Sequence, residues 1–421
     1  MGLRAGGARR RCAKGNIVLS SSKKFWLGMV APIVVIAAML SAAATQTGCG
    51  GAGGGLFPTV NPSASPTPTN VPFTGVFLYS TNIGDGKVAE FQRNTSTGAL
   101  GLFGTVSAGA FNSNPDGPRG IVITPNKQFV YVANSADGNV YEYQIQSNTG
   151  GLLLIGSISA NSGSSTASLQ QVVTDTTGSF LYVSNFGGGA YGPAILIYTI
   201  NSSSGALTFF GRFTGPAGPK GMTVSGSELF VADYTSGTLW PLAINSSTGA
   251  LSLMASPVSS PDNFHNGNPI QLLVNGSNLY VTDFEFGVVS LFVILSNGGL
   301  SFGSSAVSGS TTPSQPVGLG AATANSTNYV FSANVDSISE FASAGAILTR
   351  LSAQVSTAQG PFGVAVDPQQ KFLYSANTQD GTIGLFQVGV NCPNVFEPLC
   401  PITSYSTESS NSNPHYIAMT N

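Results

Sequence analysis

Apolar and polar positions alternate along most of this chain in runs of five or six, each closed by Asn or Asp. Phe129–Asn134 reads FVYVAN; a polar turn holding Gly138 follows, then a second alternating run from Val140 to Ile145. Period-two alternation interrupted by a Gly-containing turn predicts two strands of a hairpin. The first run recurs as Phe77-Leu-Tyr-Ser-Thr-Asn82, Phe180-Leu-Tyr-Val-Ser-Asn185, Glu228-Leu-Phe-Val-Ala-Asp233, Asn278-Leu-Tyr-Val-Thr-Asp283, Tyr329-Val-Phe-Ser-Ala-Asn334 and Phe372-Leu-Tyr-Ser-Ala-Asn377. These seven copies lie 43 to 52 residues apart. Short strands repeating at that period predict a β-propeller, whose four-stranded blade takes about 40–50 residues.

One repeat shows the expected blade. Gly120–Thr124 is its inner strand A, Phe129–Asn134 strand B, Val140–Gln146 strand C and Leu152–Ala160 strand D. The turn between C and D recurs as Asn94-Thr-Ser-Thr-Gly98, Asn201-Ser-Ser-Ser-Gly205 and Asn245-Ser-Ser-Thr-Gly249. Glycine there supplies the positive φ of a tight hairpin. Strand A opens repeatedly on proline, at Pro118, Pro219, Pro269, Pro316 and Pro361, with Leu169 as the version lacking it. No such strand precedes Phe77, but the chain ends on Asn413-Pro-His-Tyr-Ile-Ala-Met419, which has the pattern. The expected fold is therefore all-β: a seven-bladed β-propeller of four antiparallel strands per blade. Its ring is closed by the C-terminal strand completing the first blade, which leaves no open sheet edge in the ring.

Composition agrees with a packed β protein. Of 421 residues 42% are hydrophobic and only 8% charged, with 53 glycines. Seven of the fifteen Lys and Arg fall within residues 1–24, and all seventeen acids lie beyond. The remainder is acidic, which excludes nucleic acid as an expected partner because such binding rests on Lys and Arg neutralising phosphates.

The N-terminal region suggests export. Residues 1–24 are basic, and 25–44 are apolar and uncharged, the layout of a signal peptide over 1–48 with a long basic first region. Gln46-Thr47-Gly48-Cys49 resembles a bacterial lipoprotein cleavage site, with Cys49 the lipidated residue. Simple secretion and an uncleaved N-terminal helix remain alternatives, since about 20 apolar residues span a bilayer. All three place the remainder outside the cytoplasm, at the bacterial cell envelope. Residues 49–72 are rich in Gly, Pro, Ser and Thr and read as a tether, leaving 73–421 for the propeller.

Strand A should line the central channel, where ligands of ring folds bind. The residue after the opening proline should face one mouth. In blade order it is His415, Arg119, Gln170, Lys220, Ile270, Val317 and Phe362. Four neighbouring blades offer polar or cationic groups and three offer apolar ones. Strand B ends at the same mouth, adding Asn134, Asn185, Asp233 and Asp283 as candidate ligand contacts, although Asn or Asp there can equally cap its own turn. A half-cationic mouth suits a carboxylate or sugar acid. No cofactor is expected. Oxygen-rich side chains at Asp233, Asp262, Asp283 and Glu285, beside His265, form a group that could hold Ca²⁺. Two histidines exclude a multi-His zinc site, and the sequence holds no H-E-x-x-H or Walker pattern. Cys392 and Cys400, in an insertion before the closing strand, are expected to form a disulfide outside the cytoplasm.

The Pro-x-Gly openings, the F-x-Y-V-A-N strand and the N-x-x-x-G-x-L turn, recurring within a pattern of seven repeats, resemble the seven-bladed lactonase-like propellers. That family includes phosphogluconolactonase-like proteins; the strand also looks like the YVTN repeats of surface-layer propellers. The resemblance covers about 73–421. Family members tend to carry Pro-His at strand A and Asp-Leu-Gly after strand B. Here Pro-His stands only at Pro414-His415, and Asp-Leu-Gly is absent. Two functions follow as expectations. The first is a tethered binding module that holds an envelope partner or small ligand at the channel mouth. The second, implied by the resemblance, is a hydrolase opening a sugar lactone, with Arg119 and Lys220 orienting the substrate and His415 as general base.

Overall fold

The computed structural model describes residues 75–111, 116–160, 166–259, 267–309, 315–324, 326–356, 359–389, 399–406 and 412–420. The leader, the tether, Cys49, Asp262, His265 and Cys392 lie outside them. Seven antiparallel sheets follow one another along the chain. The inner strands are Pro414–Met419, Pro118–Ile123, Leu169–Thr174, Pro219–Ser225, Pro269–Asn275, Gly318–Ala324 and Pro361–Val366. Each packs on the next, and the last packs on the first, so the ring is complete. Pro414–Met419 pairs with Val76–Asn82, which fills the first blade with a strand from the chain's far end.

Two details differ from the sequence expectation. In the fourth blade the outer strand is broken into Leu251–Leu253 and Val258–Ser259, both paired with Thr238–Ile244. Cys400 does not lie in an insertion: it stands on the outer strand Leu399–Ser406 of the seventh blade, opposite Gln387.

The recurring motifs recognise each other across blade interfaces. Strand B is buried along its whole length in several blades, as at Phe129–Asn134, because neighbouring blades cover both of its faces. The tyrosine hydroxyl of each F-x-Y donates to the turn glycine carbonyl of the following blade. Tyr79 bonds Gly150 at 2.6 Å, Tyr131 bonds Gly205 at 2.7 Å and Tyr182 bonds Gly249 at 3.0 Å. The phenylalanine two residues earlier packs on that glycine's α-carbon, where a side chain would collide with the ring. Tyr374 bonds Gly98 at 2.7 Å in the same way and so joins the seventh blade to the first. A buried ion pair crosses the same seam: Arg93 Nη1 lies 2.9 Å from Asp367 Oδ2, with both side chains fully buried.

Candidate functional site at the channel mouth

The residue after the opening proline is set apart by the backbone. In six of the seven blades the pairing of strands A and B slips at this point, for example between Pro118 and Ile121 and between Pro219 and Met222. A bulge bends its strand and re-aims the extra side chain. His415, Arg119, Gln170, Lys220, Ile270 and Phe362 all stand on such bulges. Val317 is the exception: Gly318 and the residues after it pair in unbroken register.

Hydroxyl clamps fix these bulges. Thr81 Oγ1 donates to the carbonyl of Arg119 at 2.7 Å and accepts from the Tyr416 amide at 3.1 Å. Ser184 Oγ repeats this, donating to the Lys220 carbonyl at 2.6 Å and accepting from the Gln171 amide at 3.0 Å. Thr282 accepts from the Gln271 amide at 3.0 Å. The penultimate strand B residue is Thr or Ser in the first, third and fifth blades and Ala in the others, an alternation visible in the sequence. Where strand A approaches its neighbour most closely the position is glycine. A side chain at Gly363 would strike the His415 carbonyl.

The structure brings His415, Arg119 and Lys220 within electrostatic reach of one another. His415 is 3% exposed and its ring stacks on Phe362, centroids 3.6 Å apart. Nδ1 has no hydrogen-bond partner among the described residues. Burial, then Arg119, then Lys220 hold its pKa well below the usual histidine value, so the ring is neutral at pH 7. Lys220 Nζ lies 3.6 Å from the centre of the Tyr234 ring and 5.5 Å from that of Phe186. Burial first and Arg119 second push its pKa down to about 7, while the ring faces act the other way by favouring the cation. Arg119 is one-fifth exposed and pairs with Asp116 at 3.1 Å. Gln170 turns its amide to Ser168 Oγ, 2.9 Å away.

Ile270, Val317 and Phe362 gather in one apolar cluster with Ala333, Tyr234 and Phe284. Tyr234 of this cluster carries the Lys220 ammonium and Phe362 carries the His415 ring, so the apolar and polar residues meet there. Sequence reasoning overlooked the aromatic wall. Phe186, Tyr234 and Phe284 each follow the strand B Asn or Asp of three consecutive blades, and that regularity was the available signal.

The Asn and Asp side chains at the strand B ends serve their own turns. Asn134 donates to the Ala108 and Ala110 carbonyls at 2.7 and 2.8 Å and accepts from the Ala136 amide at 2.7 Å. Asn185 donates to Gly192 O at 2.7 Å and accepts from the Gly187 amide at 3.3 Å. Asp233 accepts from the amides of Ala217 and Gly218 and from Ser236 Oγ, at 2.7, 2.8 and 2.6 Å. Asp283 accepts from the Phe286 amide at 3.2 Å, and burial raises its pKa. All four side chains are engaged by backbone groups, the capping role that the sequence offered beside ligand contact. Among the described residues no three His, Cys, Asp or Glu side chains gather as a metal-holding group.

A recess of about 440 Å³ lined by Gln128, Phe129, Gln144, Asn148, Leu153 and Ser203 lies at the opposite end of the blades. It has no titratable lining residue.

Residues 70–265 match the family model described as Lactonase, 7-bladed beta-propeller. The seven closed blades make the chain a seven-bladed β-propeller, and the match shows that its residues 70–265 are similar to the lactonase propellers. Solved structures agree in fold. A provisionally named 6-phosphogluconolactonase from Bacteroides fragilis superposes with a TM-score of 0.66 at 16% identity, covering 85% of this chain and 100% of that one. The periplasmic gluconolactonase of Pseudomonas aeruginosa gives a TM-score of 0.64 at 16% identity, covering 82% and 99%. A comparison with curated proteins finds no match.

Proposed function

We propose that this chain is a lactone hydrolase working at the channel mouth, outside the cytoplasm, on a lipid anchor at Cys49. The observation that carries the reading is the convergence of Arg119 with an amine, Lys220, pushed down to about 7. A general base works best with a pKa near the operating pH. Lys220 in its neutral form takes a proton from water as the water oxygen bonds to the lactone carbonyl carbon. The guanidinium of Arg119 donates hydrogen bonds to the resulting oxyanion. When the tetrahedral intermediate collapses, the ring C–O bond breaks and the leaving oxygen takes the proton back from Lys220. The product is the open hydroxy acid. His415 is too enclosed to activate water and instead supplies a neutral, flat floor under Phe362. The family match and the activity in the Pseudomonas protein's name support this class of reaction. The apolar stretch 25–44 and the tether 49–72 support export.

A second reading, a binding module for a carboxylate ligand, is favoured by the capping role of Asp233 and Asp283, whose carboxylates are engaged by backbone amides. Hydroxy-acid release from δ-gluconolactone and dihydrocoumarin by the full-length chain separates the two. Turnover that falls in Arg119→Ala supports the hydrolase. Release no faster than in buffer, from protein with an intact β circular-dichroism spectrum, overturns it in favour of binding. The anchor is tested by lipid labelling in a bacterial host, expected to vanish in Cys49→Ser; label retained in that variant refutes it.

A further inference from the structure

The apolar half of the mouth specifies the kind of ligand. Ile270 and Val317 are each 7% exposed and pack with Phe362 into one cluster. Phe362 is itself half-buried and backed by His415, so its ring forms one face of a two-ring shelf. None of these three side chains can donate or accept a hydrogen bond. A sugar lactone carries a hydroxyl on nearly every ring carbon, and hydroxyls brought against these three side chains would lose water without gaining partners from them. Phosphorylated sugars would add a charge that Phe362, Ile270 and Val317 cannot meet. An aromatic ring or short alkyl chain would instead bury its surface there at no polar cost.

We infer that the mouth takes an amphiphile: an aryl- or alkyl-substituted lactone, or the hydroxy acid made from it, with its carboxyl oxygens at Arg119 and Lys220 and its apolar body against Phe362, Ile270 and Val317. The lactone form rests on the hydrolase reading; the binding of the hydroxy acid does not. The selectivity comes from chemistry on one side of the channel that a polyhydroxylated ligand cannot satisfy.

Titration calorimetry on the full-length chain tests this with 3-(2-hydroxyphenyl)propanoate, the hydroxy acid of dihydrocoumarin, against gluconate. The aryl acid should bind at least about tenfold more tightly. Arg119→Ala should weaken it, and Phe362→Ala should remove most of the preference. Phe362→Leu, which keeps an apolar body and guards against loss of folding, should retain it. Gluconate binding as tightly as the aryl acid, absence of aryl-acid binding, or a preference unmoved in a folded Phe362→Ala would overturn the inference. The two proposals fail separately. Aryl-acid binding without cleavage of dihydrocoumarin removes the hydrolase and keeps the ligand class. Faster cleavage of δ-gluconolactone with tighter gluconate binding keeps the hydrolase and removes the ligand class.

Discussion

His415 and Phe362 stack with their ring centroids 3.6 Å apart and 23° from parallel, and they come from the first and seventh blades. The floor of the candidate site is thus also the seam at which the ring closes. Closure and site formation are one event, because the strand Pro414–Met419 that completes the first blade carries His415 into place.

Loss of that strand should therefore remove both stability and ligand binding. Deleting residues 411–421 bares the edge of Val76–Asn82, and thermal unfolding should shift strongly downward. A milder break of the same seam is Asp367→Ala, which leaves Arg93 buried and unpaired at a cost of about 3–5 kcal/mol. Both variants should unfold at lower temperature by circular dichroism. An unchanged transition in the truncation contradicts closure by the C-terminal strand.

The hydroxyl clamps make a second prediction. Ser184→Ala removes the donor that holds the Lys220 carbonyl at 2.6 Å, and Thr81→Ala does the same for Arg119. Neither residue is placed to touch substrate; each is a positioning residue. Each loss should cost about 0.5–1.5 kcal/mol of stability. Ser184→Ala should also shift the pH midpoint of the rate, whereas Ser184→Thr should restore it. A stability loss with the midpoint unmoved would reduce Ser184 to a purely structural role.

Glu90 gives a pH dependence of opposite origin. Its carboxylate accepts from the Leu152 amide of the next blade at 2.6 Å, yet burial raises its pKa above the ordinary glutamate range. Folding thus favours the protonated form. The stabilising contribution is complete below the unfolded-state value and disappears as pH rises through the folded-state value. Glu142 stands in the same position toward Leu207, and burial again dominates. Glu90→Gln keeps an acceptor without the charge. It should raise the melting temperature at pH 7–8, change little near pH 4, and flatten the profile between. A lowered melting temperature at every pH would show that the charge itself is needed for packing.

Much of this architecture is legible in the residues. Seven recurring strands ending in Asn or Asp, the turn glycines and the stray Pro-His-Tyr at the C-terminus define blade number and closure, because each motif has one local job that repeats. The ring of residues after the opening proline was legible too, since strand A is the innermost strand. Turn capping was less so. Whether Asn134 faces a ligand or its own turn depends on the backbone two and three residues on, as at Ala136, and alternation alone does not give that geometry. The cation–ring contact of Lys220 with Tyr234 was hidden for another reason. It joins strand A of a blade to the residue beyond strand B, a pairing the register permits only once the bulge is known. The buried glutamates were illegible because period-two alternation cannot tell a solvent face from a face covered by the next blade.

The pH dependence of lactone opening by the full-length chain, beside Lys220→Met, tests the central claim most directly. Lys220 is a base only when neutral, so the rate should rise through about pH 7 and level above it. Lys220→Met should lose that rise along with at least about a hundredfold in rate. A rate that is flat across pH 7, or equal in Lys220→Met, would contradict the account and take the chemistry away from the cationic half of the mouth.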